Sequence, residues 1–283
     1  MNNIKGWMID PCDARDYTTD HYKINNLILK TSAWIPNLPS SCDNSPSCTT
    51  VKNQLQLGSC TAFAGCSLIE NLIKKAHKKD FDASELFLYK LTRSLLQWSG
   101  DTGAYLRAMM GALAFFGVPP EKYYPYAIEA FEKEPESFVY QLAQSFQPIR
   151  YYRLDTPDRT PDQILQIMKQ HLKSGITMVF GFNCYESLQS DFTNRTGCIQ
   201  YPEPTEAIIG GHAVHIVGYD DNMALKSKNK GVLKFKNSWG TQWGYNGYGY
   251  LPYDYILNGL AVDVWTALSQ EFIDTNQFID LSK

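Results

Sequence analysis

Cys60, His212 and Asn237 are the residues of this chain whose types and order allow joint chemistry. Cys60 follows Gly58-Ser59 and opens the amphipathic stretch 60–75. A thiol at a helix N-terminus faces unpaired N–H groups that favour its anion, so Cys60 is expected to be a stronger nucleophile than a core cysteine. His212 follows Gly210-Gly211, where backbone and substrate can approach closely. Asn237 lies near a strand end, and its uncharged amide can orient an imidazole without burying a carboxylate. Acyl transfer through cysteine needs a thiolate, a base, an orienting group and donors for the developing oxyanion. A cysteine hydrolase is the leading expectation. Read singly, Cys60 fits packing or a disulfide, His212 a satisfied polar side chain and Asn237 a turn; their combination carries the reading.

The elements that must position these groups are legible as patterns. Phe63, Ala64, Leu68, Ile69, Leu72 and Ile73 form one helical face behind Cys60. Asp82 with Glu85 resembles a capping box opening a helix that carries Leu86, Tyr89, Leu91 and Leu95. Further helices are expected over 104–116, closing at Gly117, over 135–145, and over 160–172 with Pro161 in the first turn. After Gly175 short apolar runs at 176–182, 213–219, 231–236 and 248–252 predict a twisted, mainly antiparallel sheet. The fold class is α+β, with a helical lobe against a sheet lobe, a boundary within 124–149 and a cleft between them. Residues 1–50 are expected to form an N-terminal arm with a regulatory role. Residues 51–283 are the catalytic domain, with a helical lobe at about 51–130, a β-rich lobe at about 131–268 and a C-terminal extension. Strand alternation turns His215 away from His212, a structural position.

Composition narrows the partners. The 26 basic and 29 acidic residues are mixed along the 283-residue chain, giving a formal charge of −3, so no nucleic acid partner is expected. Tyr245, Tyr248 and Tyr250 read as packing, since basic interleaving for base stacking is weak. The seven cysteines leave at least one thiol free if the others pair; Cys42 with Cys48 and Cys184 with Cys198 are candidate bridges, beside a fully reduced alternative. Cys12, Cys42 and Cys48, with His21 or His77, are spaced too irregularly for zinc, and neither metal nor organic cofactor is expected. No apolar leader or 18-residue span is visible, so integral membrane association is not expected. Localisation stays open between secretion or export and the cytoplasm.

Longer motifs add a resemblance. Val51-Lys52-Asn53-Gln54, Gly58-Ser59-Cys60, Gly103-Ala104-Tyr105-Leu106-Arg107, Gly210-Gly211-His212-Ala213-Val214 and the run from Asn237-Ser238-Trp239-Gly240 to Tyr248 follow in order. Together they resemble papain-like cysteine proteases, over about residues 50–268, and the lead-in from Gly6-Trp7 to Asp16-Tyr17 resembles the bacterial branch. In that layout histidine and asparagine follow cysteine by roughly 130 to 150 residues. Here the separations are 152 and 177, which calls for insertions around 185–207 and 220–230. The resemblance implies endopeptide hydrolysis through a thioester, with Gln54 joining the Cys60 backbone N–H in an oxyanion hole. It also implies that Trp239 shields the His212–Asn237 bond, that Trp243 lines the leaving-group side, and that Gly103 pairs with extended peptide on the nonprimed side. Asp263 would reach the base of the second nonprimed pocket and favour a basic side chain there; the alternatives are a structural hydrogen-bonding role for Asp263 and an apolar pocket accepting leucine or phenylalanine.

This chain departs from the family pattern at Leu57 and within 100–103, where a cysteine pair is usual, and at Thr61, where tryptophan is usual. The long helical propeptide of the family is not evident in 1–50. The segment 7–38 is expected instead to fold against the catalytic unit and partly control access. The rival reading is a latent or weak peptide-binding protein whose own arm occupies the cleft as an intramolecular inhibitor.

Overall fold

The computed structural model describes residues 6–31, 37–148 and 150–268. The expected C-terminal extension and residues 1–5 and 32–36 of the arm lie outside them. In chain order the elements are β1 (Trp7–Met8), α1 (Tyr22–Thr31), β2 (Ser41–Asp43), α2 (Cys60–His77), α3 (Glu85–Leu95), β3 (Ala104–Tyr105), α4 (Leu106–Phe116), α5 (Ser137–Ala143), β4 (Arg150–Arg153), α6 (Pro161–Lys173), β5 (Met178–Tyr185), α7 (Asp191–Thr196), β6 (Ile208–Asp220), β7 (Val232–Lys236), β8 (Tyr248–Pro252), α8 (Asp254–Leu257) and β9 (Ala261–Leu268).

One lobe is helical. Leu68 and Leu72 of α2, Leu86 and Leu88 of α3 and Met109 and Leu113 of α4 are buried together, and Val139 and Ala143 of α5 join them. Burying side chains of this size contributes about 1.5–3 kcal/mol each, so the apolar face read from the sequence is what seats α2. α2 ends at Lys78, in the left-handed conformation, with Lys74, Lys75 and His77 in its last turn. α3 is capped by Ser84, whose hydroxyl accepts the Phe87 N–H. The expected cap Asp82 instead pairs with Lys52. α6 carries the expected cap, a box between Thr160 and Gln163.

The other lobe is a seven-stranded antiparallel sheet in the order β4-β9-β5-β6-β7-β8, with β2 also paired to β6. β4 and β9 were not expected from the sequence. Its second core contains Met168 and Leu172 of α6, Phe180 and Phe182 of β5, and Leu233 and Phe235 of β7. The long strand β6 lies against α2. That contact joins the lobes and brings the start of α2 to the start of β6, where Phe182 of β5 pairs with His212.

The arm takes a defined course. β1 pairs in parallel with β3, Arg153 donates its N–H to the Tyr17 carbonyl, and Ile24 of α1 is buried in the sheet-side core. The arm then reaches the main sheet as β2.

Candidate active site

Cys60 begins α2, and its N-cap residue Ser59 makes no side-chain capping bond. The first N–H groups of the helix are therefore left to the sulfur. Sγ accepts the Ala213 N–H at 3.4 Å, and the N–H groups of Thr61 and Cys60 also favour its anion. Burial wins nonetheless and pushes the thiol up to about 12. The expected lowering by the helix N-terminus is reversed, because the sulfur is fully covered.

His212 donates from Nε2 to Asn237 Oδ1 at 2.8 Å. The direction follows from the neighbouring bond: the Ser238 N–H also points at Oδ1, at 2.8 Å, so that atom must be the amide oxygen. The imidazole proton is thus on Nε2, and Nδ1 is the basic nitrogen. Among the described residues Nδ1 has no hydrogen-bond partner. The Trp239 ring stacks on the imidazole at 4.5 Å between centroids and covers one face; Trp243 meets Trp239 edge-on at 5.2 Å. Burial pushes His212 down to about 4 despite the Asn237 bond. With the cleft covered, a neutral thiol and a neutral imidazole coexist at pH 7. His215, on the other side of β6, is buried against the Ser67 hydroxyl at 2.8 Å.

Gln54 is held at both ends of its side chain. Its Oε1 accepts the Ser238 hydroxyl at 2.6 Å, and its Nε2 donates to the Leu57 carbonyl at 2.9 Å. Ser238 therefore touches both Asn237 and Gln54, a role the sequence reading missed. The loops that lack the family's cysteine pair are joined by hydrogen bonds: the Gly58 N–H donates to Asp101 Oδ1 at 2.8 Å, as does the Tyr89 hydroxyl at 2.6 Å. The Gly103 N–H in turn donates to that hydroxyl at 3.1 Å.

The arm runs over this constellation. A Cβ built on Gly6 would lie 2.6 Å from Cys60 Sγ, so only glycine fits against the sulfur. The Gly6 carbonyl accepts the Ala104 N–H at 2.9 Å, one residue past Gly103. The Trp7 indole lies over Gly181 and Gly211, where added Cβ atoms would meet it at 1.9 and 2.7 Å. Its Nε1 donates to Asp263 Oδ2 at 3.2 Å.

Asp263 sits in the left-handed region, φ 61°, where the β5–β9 register shifts. Such an irregularity re-aims a side chain, here into a buried acidic cluster. Asp263 accepts the Asp10 N–H at 2.8 Å and pairs with Arg153 at 2.7 Å. Asp10 accepts the Trp265 indole at 2.8 Å and the Arg107 N–H at 3.1 Å, capping α4 from the arm. Asp16 pairs with Arg107, and Asp155 with Arg153. Four carboxylates thus share two guanidinium groups. Burial raises Asp10, and burial together with the Asp10 charge raises Asp263 to about 7.

The structure brings Cys60, His212, Asn237, Gln54, Gly103, Trp239 and Asp263 to one cleft region, with Trp243 behind Trp239. The candidate disulfides are not formed. All seven cysteines are free: the Cys42 thiol donates to the Leu172 carbonyl at 3.3 Å, and Cys48 to that of Asn44 at 3.8 Å. Among the described residues no group of His, Cys, Asp and Glu is arranged to hold a metal ion, and no helix is long and apolar enough to cross a membrane.

Known proteins resemble this chain in sequence and fold. A family model described as papain family cysteine protease matches residues 38–262. The chain is 36% identical over 226 residues to an uncharacterized peptidase C1-like protein of Acanthamoeba polyphaga mimivirus, covering 78% of this chain and 70% of that protein. It is 27% identical over 255 residues to cathepsin K of Mus musculus, covering 89% and 68%. Among solved structures it is similar to xylellain, a cysteine protease from Xylella fastidiosa, with a TM-score of 0.79, 30% identity and coverage of 94% and 96%. Inhibitor-bound bromelain of Ananas comosus shares the fold, with a TM-score of 0.59, 21% identity and coverage of 82% and 100%.

Proposed function

The chain belongs to the papain family of cysteine proteases, and from that premise we propose an endopeptidase in which Cys60 is the nucleophile and His212 the acid and base. One arrangement supports this reading above all. Asn237 fixes the proton of His212 on Nε2, leaving Nδ1 to take the proton of a thiol that already contacts the next residue, Ala213. Cys60 transfers its S–H proton to Nδ1 and attacks the substrate carbonyl carbon. The oxyanion takes hydrogen bonds from the Cys60 N–H and the Gln54 amide. Collapse breaks the C–N bond, Nδ1–H protonates the departing amine, and a thioester remains. Water gives a proton to Nδ1 as it attacks the thioester; the carboxyl product leaves and the sulfur regains its proton.

The arm makes this enzyme latent. Gly103 is read as lining the side that receives residues N-terminal to a scissile bond. Along β3 the arm instead supplies the residues that follow Gly6, so it runs opposite to a substrate and offers no peptide bond in the order needed for cleavage. Once the arm leaves, the space over Gly181 and Gly211 suits a large side chain. Asp263, partly neutralised by Arg153, offers it a hydrogen-bond acceptor. The lead-in from Gly6-Trp7 and the likeness to the Xylella protease support a place with bacterial members.

The test is a mixed peptide library digested by the full chain, by Trp7→Ala and by Cys60→Ala, with cleavage products sequenced. Expected are slow cleavage by the first, faster cleavage by the second and none by the third. Absence of Cys60-dependent products in both active-site-intact proteins overturns the endopeptidase.

A further inference from the structure

Tyr126 lies outside the motifs that point to the cleft, yet its hydroxyl links two segments that flank it. The hydroxyl is 2.7 Å from the Gln54 carbonyl oxygen and 2.7 Å from Ser59 Oγ. A carbonyl can only accept, so the phenol proton goes to Gln54 and the Ser59 hydroxyl donates to Tyr126. The ring is placed by other means: it meets Phe63 edge-on at 5.0 Å, and the Tyr126 N–H donates to Glu121 Oε1 at 2.6 Å. Burial raises the phenol, so it keeps its proton at any working pH.

The consequence concerns the two donors assigned to the oxyanion, the side-chain amide of Gln54 and the backbone N–H of Cys60. The Gln54 backbone is pinned at nitrogen by the Ser238 carbonyl, at 2.8 Å, and at oxygen by Tyr126. Ser59, the residue before Cys60, is pinned by the same phenol oxygen. We propose that Tyr126 is a positioning residue for the hydrolytic reaction, setting through its hydroxyl the separation of the Gln54 and Cys60 donors. This rests on the endopeptidase reading. Loss of a whole oxyanion donor costs about 10²–10³ in kcat, and a misplaced donor costs less.

The test uses the full chain carrying Trp7→Ala, so that the cleft is open. Tyr126→Phe, which keeps the ring, is expected to lower kcat about 10-fold with KM changed less than about 2-fold. In a Gln54→Ala background the same substitution is expected to change kcat less than about 2-fold, because a separation matters only while both donors exist. Equal losses in the two backgrounds, an unchanged kcat, or a rise in KM alone overturn the proposal. If Tyr126→Phe fails to fold, Ser59→Ala breaks the other end of the link and is held to the same outcomes. A parent chain without turnover overturns both this proposal and the hydrolase; a working parent with an indifferent Tyr126→Phe overturns this one alone.

Discussion

Trp7 and Asp263, 256 positions apart, are joined by a 3.2 Å hydrogen bond that closes the arm over the cleft. Asp263 also takes the Asp10 N–H, so two bonds from the arm converge on one carboxylate. Facing them are Arg153 and Asp155 from the β4 end, Arg107 from α4 and Asp16 from the arm.

Latency should therefore depend on pH. Asp263 is raised to about 7 and Asp10 is raised as well, so the docked arm holds protons that ordinary carboxyls, near 4, have already lost. Docking is fully favoured below that ordinary range and weakens as pH climbs through about 7. The activity ratio of Trp7→Ala to the full chain is expected to be largest near pH 5 and to shrink toward pH 8, and Asp10→Asn should flatten the trend. A ratio constant across that range would refute the link; taking the ratio removes the pH dependence of catalysis itself.

Covering also governs the sulfur. With Cys60 near 12 and His212 near 4, the full chain should react slowly with iodoacetamide at pH 7. Gly181→Ala places a methyl where the Trp7 indole now lies, 1.9 Å from its nearest atom, and should expel the arm. Alkylation of Cys60 at pH 7, followed by mass spectrometry, is expected to quicken at least about 10-fold in that variant. Equal rates in the two proteins would show that the arm does not shield the thiol.

Asn237→Ala removes the acceptor that fixes the His212 tautomer. Steady-state kinetics in the Trp7→Ala chain should show a kcat loss on the order of 10²-fold with little change in KM. A change confined to KM would place Asn237 in substrate binding instead.

Behind the site, Lys52 Nζ meets Glu70 at 2.9 Å, Glu85 at 2.7 Å and Asp82 at 2.6 Å. Glu70 and Glu85 are buried. Lys52→Met leaves both carboxylates without their shared cation, and urea unfolding should report a loss of about 3–5 kcal/mol. A loss under about 1 kcal/mol would mean that Lys236, 3.8 Å from Glu70, compensates.

What the sequence reveals of this site is what local chemistry encodes. Cys60, His212, Asn237 and Trp239 each stand in a short motif whose residue types suit their surroundings, and the apolar face of α2 repeats with a helical period. The cap of α3 is misread by two positions because Asp82 and Ser84 are both good caps, and only packing shows that Lys52 draws Asp82 away. β9 is buried on both faces, so it lacks alternation, and an aspartate in its middle hides it further. The thiol is expected too acidic for a different reason: helix position is local, whereas the burial of Cys60 depends on Gly6 arriving from the N-terminal arm. Long-range pairings of this kind leave no periodicity to read.

The seven unpaired cysteines have a practical corollary. Where the family resemblance implies a cysteine pair, here Asp101 accepts from Gly58 and Tyr89, and no covalent tie would be cut by dithiothreitol. A reductant can therefore rescue a Cys60 oxidised to sulfenic acid or a mixed disulfide while the architecture around it stays intact, so the assay buffer that revives the nucleophile carries no cost to the scaffold.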